Sequence, residues 1–371
     1  MEYRDLYFLN IMIKASNFTI LLIFSISATL LLNSCGISNT EVEVSIGEWK
    51  SAGLEGVRVF ELKEANGYLY ASVGKDGLYR KKLNSNNEWE YLGLSVPDAN
   101  LGIITSLYDS ENNIIYAGAF GSDYSETGVF RSVDDGESWE AYDHGIAELT
   151  GTGRSSIVAN LEMTPLEPGV IIAGTTIGLF MKSSEGSEWQ YSEGSLIGAW
   201  LGIQALAFNP ANPNQIWLGS ADDRTTAQLK RSDDHGGSWE LVNIGSVTEF
   251  IDVVYDVEIH PENGNIFLCL GSKFAVSNDD GKTWSAVANF ENEDGEEFSF
   301  GCTSIQINPA NPNEIFLSGS TMFYSKDAGE TWEIIPEPDR SSIIDYHVDW
   351  EKRIVYASLL NPEMGVYTFN Y

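Results

Sequence analysis

Short apolar runs, four to six residues long, alternate with polar turns along this chain and recur in sets of four. In one set, Ile203–Phe208, Gln215–Gly219, Gln228–Arg231 and Trp239–Val242 each read as a strand, with Asn, Pro, Asp or Gly between them. The first two strands of that set are joined by Asn209-Pro210-Ala211-Asn212-Pro213-Asn214, and the same six residues return at Asn308 to Asn313. Shorter versions stand at Lys63 to Gly67, Asp109 to Asn113, Thr164-Pro165, His260-Pro261 and Asp349 to Arg353, so the turn occurs seven times. Tryptophans keep the same period: Trp49, Trp89, Trp139, Trp189, Trp239, Trp284 and Trp332 stand 40 to 50 residues apart. A spacing of that size means repeated supersecondary units.

Seven units of four antiparallel strands predict an all-β, seven-bladed β-propeller over residues 46–371. The seventh unit runs from Ser342 through Ile354-Val355-Tyr356-Ala357 to Gly365-Val366-Tyr367-Thr368-Phe369 and lacks a fourth strand. Glu48-Trp49-Lys50-Ser51 matches the fourth-strand positions Trp139-Glu140, Trp239-Glu240 and Trp332-Glu333, so the N-terminal strand is expected to complete the last blade. Such a ring has no exposed edge left to aggregate.

Four of the tryptophans close one motif, S-x-D-x-G-x-x-W: Ser132-Asp134-Gly136-Trp139, Ser232-Asp234-Gly236-Trp239, Ser277-Asp279-Gly281-Trp284 and Ser325-Asp327-Gly329-Trp332. A fifth copy, Ser183 to Trp189, has lost its Asp, and the first, Asn84 to Trp89, keeps little besides its Trp. A short Asp accepts backbone N–H groups across a tight turn, and Gly supplies a left-handed residue. The Trp then wedges its apolar face between neighbouring sheets. These sixteen residues are therefore read as structural hairpin staples. The motif resembles the Asp-box (BNR) repeat of β-propellers, a group that includes sialidases, xyloglucan-degrading glycosidases, sortilin ectodomains and a photosystem II assembly factor.

Before the repeats, Phe18 to Leu32 is an apolar run of fifteen residues with only Ser and Thr as polar interruptions, preceded by Lys14 and ended by Leu32-Asn33-Ser34-Cys35. It is short for a membrane-spanning helix and suits a signal h-region. The segment resembles a bacterial lipoprotein signal, 1–35, with Cys35 as the lipidated residue; Met12 is the expected start, because residues 1–11 lack signal character. A linker, 36–45, would then hold the propeller near the outer membrane of a bacterial envelope.

A net charge of -33 over 371 residues speaks against nucleic acid or an anionic membrane surface as partner. Besides Cys35 there are two cysteines, Cys269 and Cys302, read as small buried thiols, with an interblade disulfide as the alternative that export permits.

Function in such a ring is expected opposite the motif turns, in the loops from fourth to first and from second to third strands. A glycosidase needs two carboxylates across a cleft, and Asp123, Asp222, Asp223, Asp252, Glu293 and Asp345 all qualify, so no pair stands out. Tyr124, Trp200 and Phe298 could stack on sugar rings, and Arg154 and Arg224 are cations of the same loops. A sialidase is not expected: there is no Arg-Ile-Pro segment and the count is seven blades, whereas Arg80, Arg131 and Arg231 are repeat features before the motif. His144, His235, His260 and His347 stand isolated, without zinc spacing, and no nucleophile elbow or P-loop occurs. The run Glu291-Asn292-Glu293-Asp294-Gly295-Glu296-Glu297 fails the calcium-loop pattern, so neither metal nor cofactor is expected. Near the axis, the first strands are expected to present Arg58, Thr105, Gln204, Asp256, Thr303 and Asp345.

The reading that follows is a monomeric, lipid-anchored binding or assembly module for a protein or a glycan. The alternative is a glycoside hydrolase similar to the xyloglucan-degrading group.

Overall fold

A computed structural model describes residues 47–371, apart from 84–87, 96–101, 121–127, 147–155, 167–168, 184–185, 187, 196–201, 222–225, 250–251, 287–289, 292–296, 299–300, 320, 337 and 339–340. Ile46–Tyr371 forms one compact unit. Seven antiparallel sheets of four strands make the blades of a β-propeller. Their first strands, numbered here as blades 1 to 7, are Glu61–Ala65, Gly102–Asp109, Val158–Met163, Ala205–Asn209, Val254–Ile259, Cys302–Ile307 and Ile343–Asp349. First strands meet between blades 1 and 2, 2 and 3, 4 and 5, 5 and 6, 6 and 7, and 7 and 1, which makes them the inner ring. Blade 7 closes as its pattern predicts: Lys50–Gly53 pairs antiparallel with Val366–Asn370, Lys50 opposite Thr368.

Each sheet is covered on both faces by its neighbours, so its second strand reads as a continuous apolar run rather than an alternating one. Ile171–Thr175, Ile266–Leu270 and Ile315–Gly319 are buried at every position. Between blades 4 and 5 the core joins Trp217 and Leu229 to Val257, Leu268 and Trp284. Contact there is close enough to demand glycine, since a Cβ on Gly219 would lie 2.2 Å from Val254 Cγ1.

All four S-x-D-x-G-x-x-W turns make the same bonds. In blade 4, Ser232 Oγ donates to Asp234 Oδ1 (2.8 Å) and accepts from Gly236 N (2.8 Å), while Ser238 donates its N–H to Oδ1 (2.8 Å) and its hydroxyl to Oδ2 (2.7 Å). Asp134, Asp279 and Asp327 repeat this with Ser138, Thr283 and Thr331. Gly136, Gly236, Gly281 and Gly329 are left-handed, and so is the residue before each: Asp135, His235, Asp280 and Ala328. Two consecutive left-handed residues are what a tight hairpin twist requires.

The tryptophans clamp one blade to the blade before it. The indole N–H donates to Pro336 O from Trp49 (2.6 Å), to Ala52 O from Trp89 (2.8 Å), to Leu92 O from Trp139 (2.7 Å) and to Tyr142 O from Trp189 (2.6 Å). Trp239 donates to Ser192 Oγ (2.8 Å), whereas Trp284 turns back to Gly281 O (3.1 Å) of its own turn.

Cys269 and Cys302 form a disulfide between blades 5 and 6, so the reading of two free thiols is corrected. The second strand of one blade and the first of the next lie side by side, and the two Cα atoms stand 4.8 Å apart, within bridging reach. Among the described residues, no helix is long and apolar enough to cross a membrane.

Candidate functional site

Of the candidate residues, Asp123, Tyr124, Arg154, Trp200, Asp222, Asp223, Arg224 and Glu293 lie outside the described residues, as does Cys35. Phe298 belongs to a small hairpin, Phe290–Glu291 with Glu297–Phe298, of which the backbone is described. Asp252 and Asp345 remain.

Asp252 is 2% exposed and fully engaged. It accepts from the Ser272 hydroxyl (2.7 Å) and from the N–H groups of Val253 (3.1 Å), Ser272 (3.2 Å) and Glu249 (3.3 Å). Burial pushes its carboxyl up, and these bonds oppose the shift. The side chain braces the entry to blade 5 against the turn after its second strand.

Asp345 lies on the inner strand of blade 7 and points to blade 1, where Oδ2 accepts from Leu62 N at 2.7 Å. Burial pushes it up to about 7 despite that bond, and the nearby Glu61 charge adds to the rise.

Asp345 is one member of a ring. Cross-strand pairing places Glu61, Thr105, Asn160, Ala205, Asp256, Ser304 and Asp345 at one position of successive inner strands. Thr105, Asp256 and Asp345 stand where the sequence placed them, but Glu61, Ala205 and Ser304 replace Arg58, Gln204 and Thr303. For Ser304 the cause is a β-bulge at the start of the strand, a register shift at Cys302/Ser304 that also stands at Ile103/Thr105, Val158/Asn160, Val254/Asp256 and Ile343/Asp345, whereas the strands of Glu61 and Ala205 carry none there. One extra residue moves every later side chain to the other face.

The ring staples neighbouring blades near the axis. Glu61 accepts from Thr105 Oγ1 (2.8 Å) and Ser106 N (2.7 Å), and Asp256 accepts from Ile305 N (2.8 Å). Asn160 donates to Ile203 O (2.8 Å) and Gln204 O (2.9 Å). Two residues further on, Gln306 donates to Tyr346 O and accepts from Val348 N (3.1 Å). Lys63 passes blade 2 to reach Glu162 Oε1 (2.6 Å) and Leu161 O (3.0 Å) on blade 3.

Glu162, Glu61 and Asp345 act on Lys63, and Asp256 and Glu258 continue the same group of carboxylates beyond Glu162. Burial raises Glu61 and Asp256, and it raises Glu258 further together with repulsion from Asp256 and Glu162. Burial works against the Lys63 charge, yet Glu162 and Glu61 outweigh it and leave its pKa raised. With side-chain exposures of 28% and 35%, the Lys63–Glu162 pair remains wetted, so its attraction is that of a partly screened ion pair. Among the described residues no three side chains converge as metal ligands. The cluster ties neighbouring blades together near the axis.

Two of the four histidines bridge blades, His235 Nε2 meeting Thr164 Oγ1 (2.8 Å) of blade 3 and His347 Nε2 meeting Glu64 Oε2 (3.1 Å) of blade 1, while His260 Nδ1 accepts locally from Glu262 N (3.2 Å). Arg80, Arg131 and Arg231 do occupy one repeated position, opposite Tyr70, Tyr116 and Trp217. Sequence reasoning missed their partners: Arg80 grips Asp135 and Arg231 grips Asp280, each on the next blade one residue after the motif aspartate. It also missed Ser138, Ser238, Thr283 and Thr331, although a hydroxyl residue directly before each motif tryptophan was a readable signal.

No family model matches this chain, and no curated protein matches it. Its fold is similar to solved β-propellers. YCF48 bound to D1 peptide matches with a TM-score of 0.62 at 14% identity, covering 89% of this chain and 96% of YCF48. The GH74 xyloglucanase from Xanthomonas campestris matches with a TM-score of 0.62 at 17% identity, over 87% of this chain and 53% of the enzyme. The Niastella koreensis GH74 enzyme gives 0.63 at 17%, over 86% and 53%. The chain spans about half the length of these two enzymes.

Proposed function

We propose that this chain is an exported, lipid-anchored Asp-box propeller that works as a noncatalytic binding or assembly module. It would hold a protein or a glycan with the loops opposite the motif turns. The observation that carries this reading is the use made of Asp252 and Asp345. Each is tied to the chain's own backbone as a structural brace is, which favours a binding role for the ring over catalysis by these two. A single propeller of nearly the length of YCF48, a protein solved with a bound peptide, is in keeping with it.

Export is supported by the Cys269–Cys302 disulfide, because such bonds persist in oxidising compartments. Lipidation at Cys35 rests on the signal-like segment before it, and the envelope's outer membrane on the residue that follows, Gly36. Labelling with a fatty-acid analogue checks this: label is expected on the wild type and absent from Cys35→Ala.

The hydrolase reading is favoured by the likeness to two GH74 enzymes, and its acid and base would come from Asp123, Asp222, Asp223 and Glu293. One screen separates the two readings. The protein is offered plant, host and bacterial polysaccharides, and both retention and reducing-end release are scored. Retention without release supports the binding module. Release abolished by one top-face Asp or Glu substitution overturns it, and silence on both directs the search to a protein partner.

A further inference from the structure

We propose a second binding site, on the motif-turn side between blades 1 and 2, that takes a single neutral sugar ring. A cavity of about 230 Å³ opens there against Tyr68, Tyr70, Arg80 and Tyr108, with Asn66 and Asn113 on its polar edge and Asp135 beside Arg80. Its floor is buried, since Tyr70 is 3% and Arg80 8% exposed, while Asn66, Asn113 and Asp135 reach solvent and form the mouth. Drug-sized ligands fill about 300–1,000 Å³, so this space suits one ring rather than an oligomer.

The lining selects the chemistry. Arg80 bonds Glu90 Oε2 (2.7 Å) and Asp135 Oδ2 (2.8 Å), so its charge is already answered and an anion finds no free cation. A ligand cation fares no better, because the Arg80 guanidinium already lies over the Tyr68 ring at 4.8 Å. What remains is aromatic surface and amide groups. Tyr70 and Tyr108 stack at 5.9 Å, and the Tyr108 hydroxyl accepts from Asn66 Nδ2 (3.2 Å) and donates to Asn113 Oδ1 (2.6 Å). The Asn113 Nδ2 group makes no hydrogen bond among the described residues. A small space with more polar than apolar lining, bordered by tyrosine hydroxyls and by amide donors and acceptors, matches a pyranose, which carries hydroxyls around its edge.

The matching place between blades 4 and 5 supplies the contrast. Trp217 and Arg231 stand where Tyr70 and Arg80 do, and Gln215 stands where Tyr68 does. Gln215 is 5% exposed and ties Trp217 Nε1 (3.0 Å), Asn209 (2.8 Å) and Asp233 (3.0 Å) together, closing the space. The same repeat geometry is therefore closed in one place and open in the other.

The test is saturation-transfer NMR of the intact protein with the methyl pyranosides of glucose, galactose, mannose and xylose, with choline as the cationic control. At least one pyranoside is expected to bind with a millimolar Kd and choline to give nothing. Tyr68→Gln is expected to weaken binding by roughly tenfold or more. Asn113→Gly, which preserves the left-handed turn residue and gives up one hydrogen bond from Tyr108, is expected to weaken it with only a small change in Tm and decides the matter if Tyr68→Gln fails to fold. No transfer from any of the four sugars, transfer from choline instead, or equal transfer in the wild type and Asn113→Gly would overturn the proposal.

Discussion

At the outer turns, Asp234 and Asp279 are held down to about 2 by the hydroxyl and N–H groups of Ser238 and Thr283, whereas on the inner ring Asp345 is pushed up to about 7 by burial. Each of these carboxylates accepts backbone N–H groups. The difference is water: the turn aspartates keep theirs and gain donors, while Asp345 loses most of its hydration and gains one bond to blade 1. A ring built from one repeat can thus place the same residue type where ionisation holds the fold and where ionisation strains it.

The largest expected effect tests whether the outer clamps, rather than the inner charges, carry the blade interfaces. Trp189 is 2% exposed and clamps blade 3 to blade 2 through Tyr142 O. Trp189→Ala should cost about 3–5 kcal/mol, read from urea unfolding. Next comes the covalent staple beside the inner ring: removing the Cys269–Cys302 bond, with its sequence separation of 33 residues, should cost about 2–4 kcal/mol. Melting Cys269→Ala/Cys302→Ala beside the wild type, with non-reducing mass analysis of the latter, checks it.

The inner carboxylate gives a third prediction, with a defined sign. The folded pKa of Asp345 lies above its ordinary value of 3.8, so stability is complete below about pH 4 and declines as pH rises towards 7. Asp345→Asn keeps an acceptor for Leu62 N and removes the charge. It should therefore melt higher than the wild type at pH 8, with the gap closing near pH 4; an unchanged gap would mean that Asp345 is ionised in the fold. The turn aspartates have the opposite sign, their contribution being present above 3.8 and lost as pH falls towards 2.

The smallest effect sharpens the outer side. Ser238→Ala removes one exposed hydroxyl bond to Asp234 Oδ2 and should leave the Tm almost unchanged. The Asp234 pKa should nevertheless climb from about 2 towards 3.8, a change that carboxyl NMR resolves.

The blade count, the closing strand and the motif turns were legible because each rests on a local pattern repeated in register. Asn209 to Asn214 and Asp234 with Gly236 announce their turns without help from the rest of the chain. The inner ring was legible only in part. Thr105, Asp256 and Asp345 were found, but the bulge that sets Ser304 rather than Thr303 in the ring is a property of strand pairing and leaves no mark on composition. Nor did Arg80 reveal Asp135, 55 residues away on another blade. Choosing a functional carboxylate was beyond reach for a different reason: 54 acidic residues supply too many pairs, and burial separates a brace such as Asp252 from a reagent.

The pairing of Lys50 with Thr368 also governs the order of assembly. These partners are 318 residues apart, so blade 7 joins the first strand of the ring to the last and brings together the two ends of the described chain. Loop closure over such a span is entropically costly and slow compared with hairpin formation. Blades 1 to 6 each contain their own four strands and can form as the chain is made. The ring can lock only once both of its ends are present, which makes closure a late step that waits on the whole propeller chain.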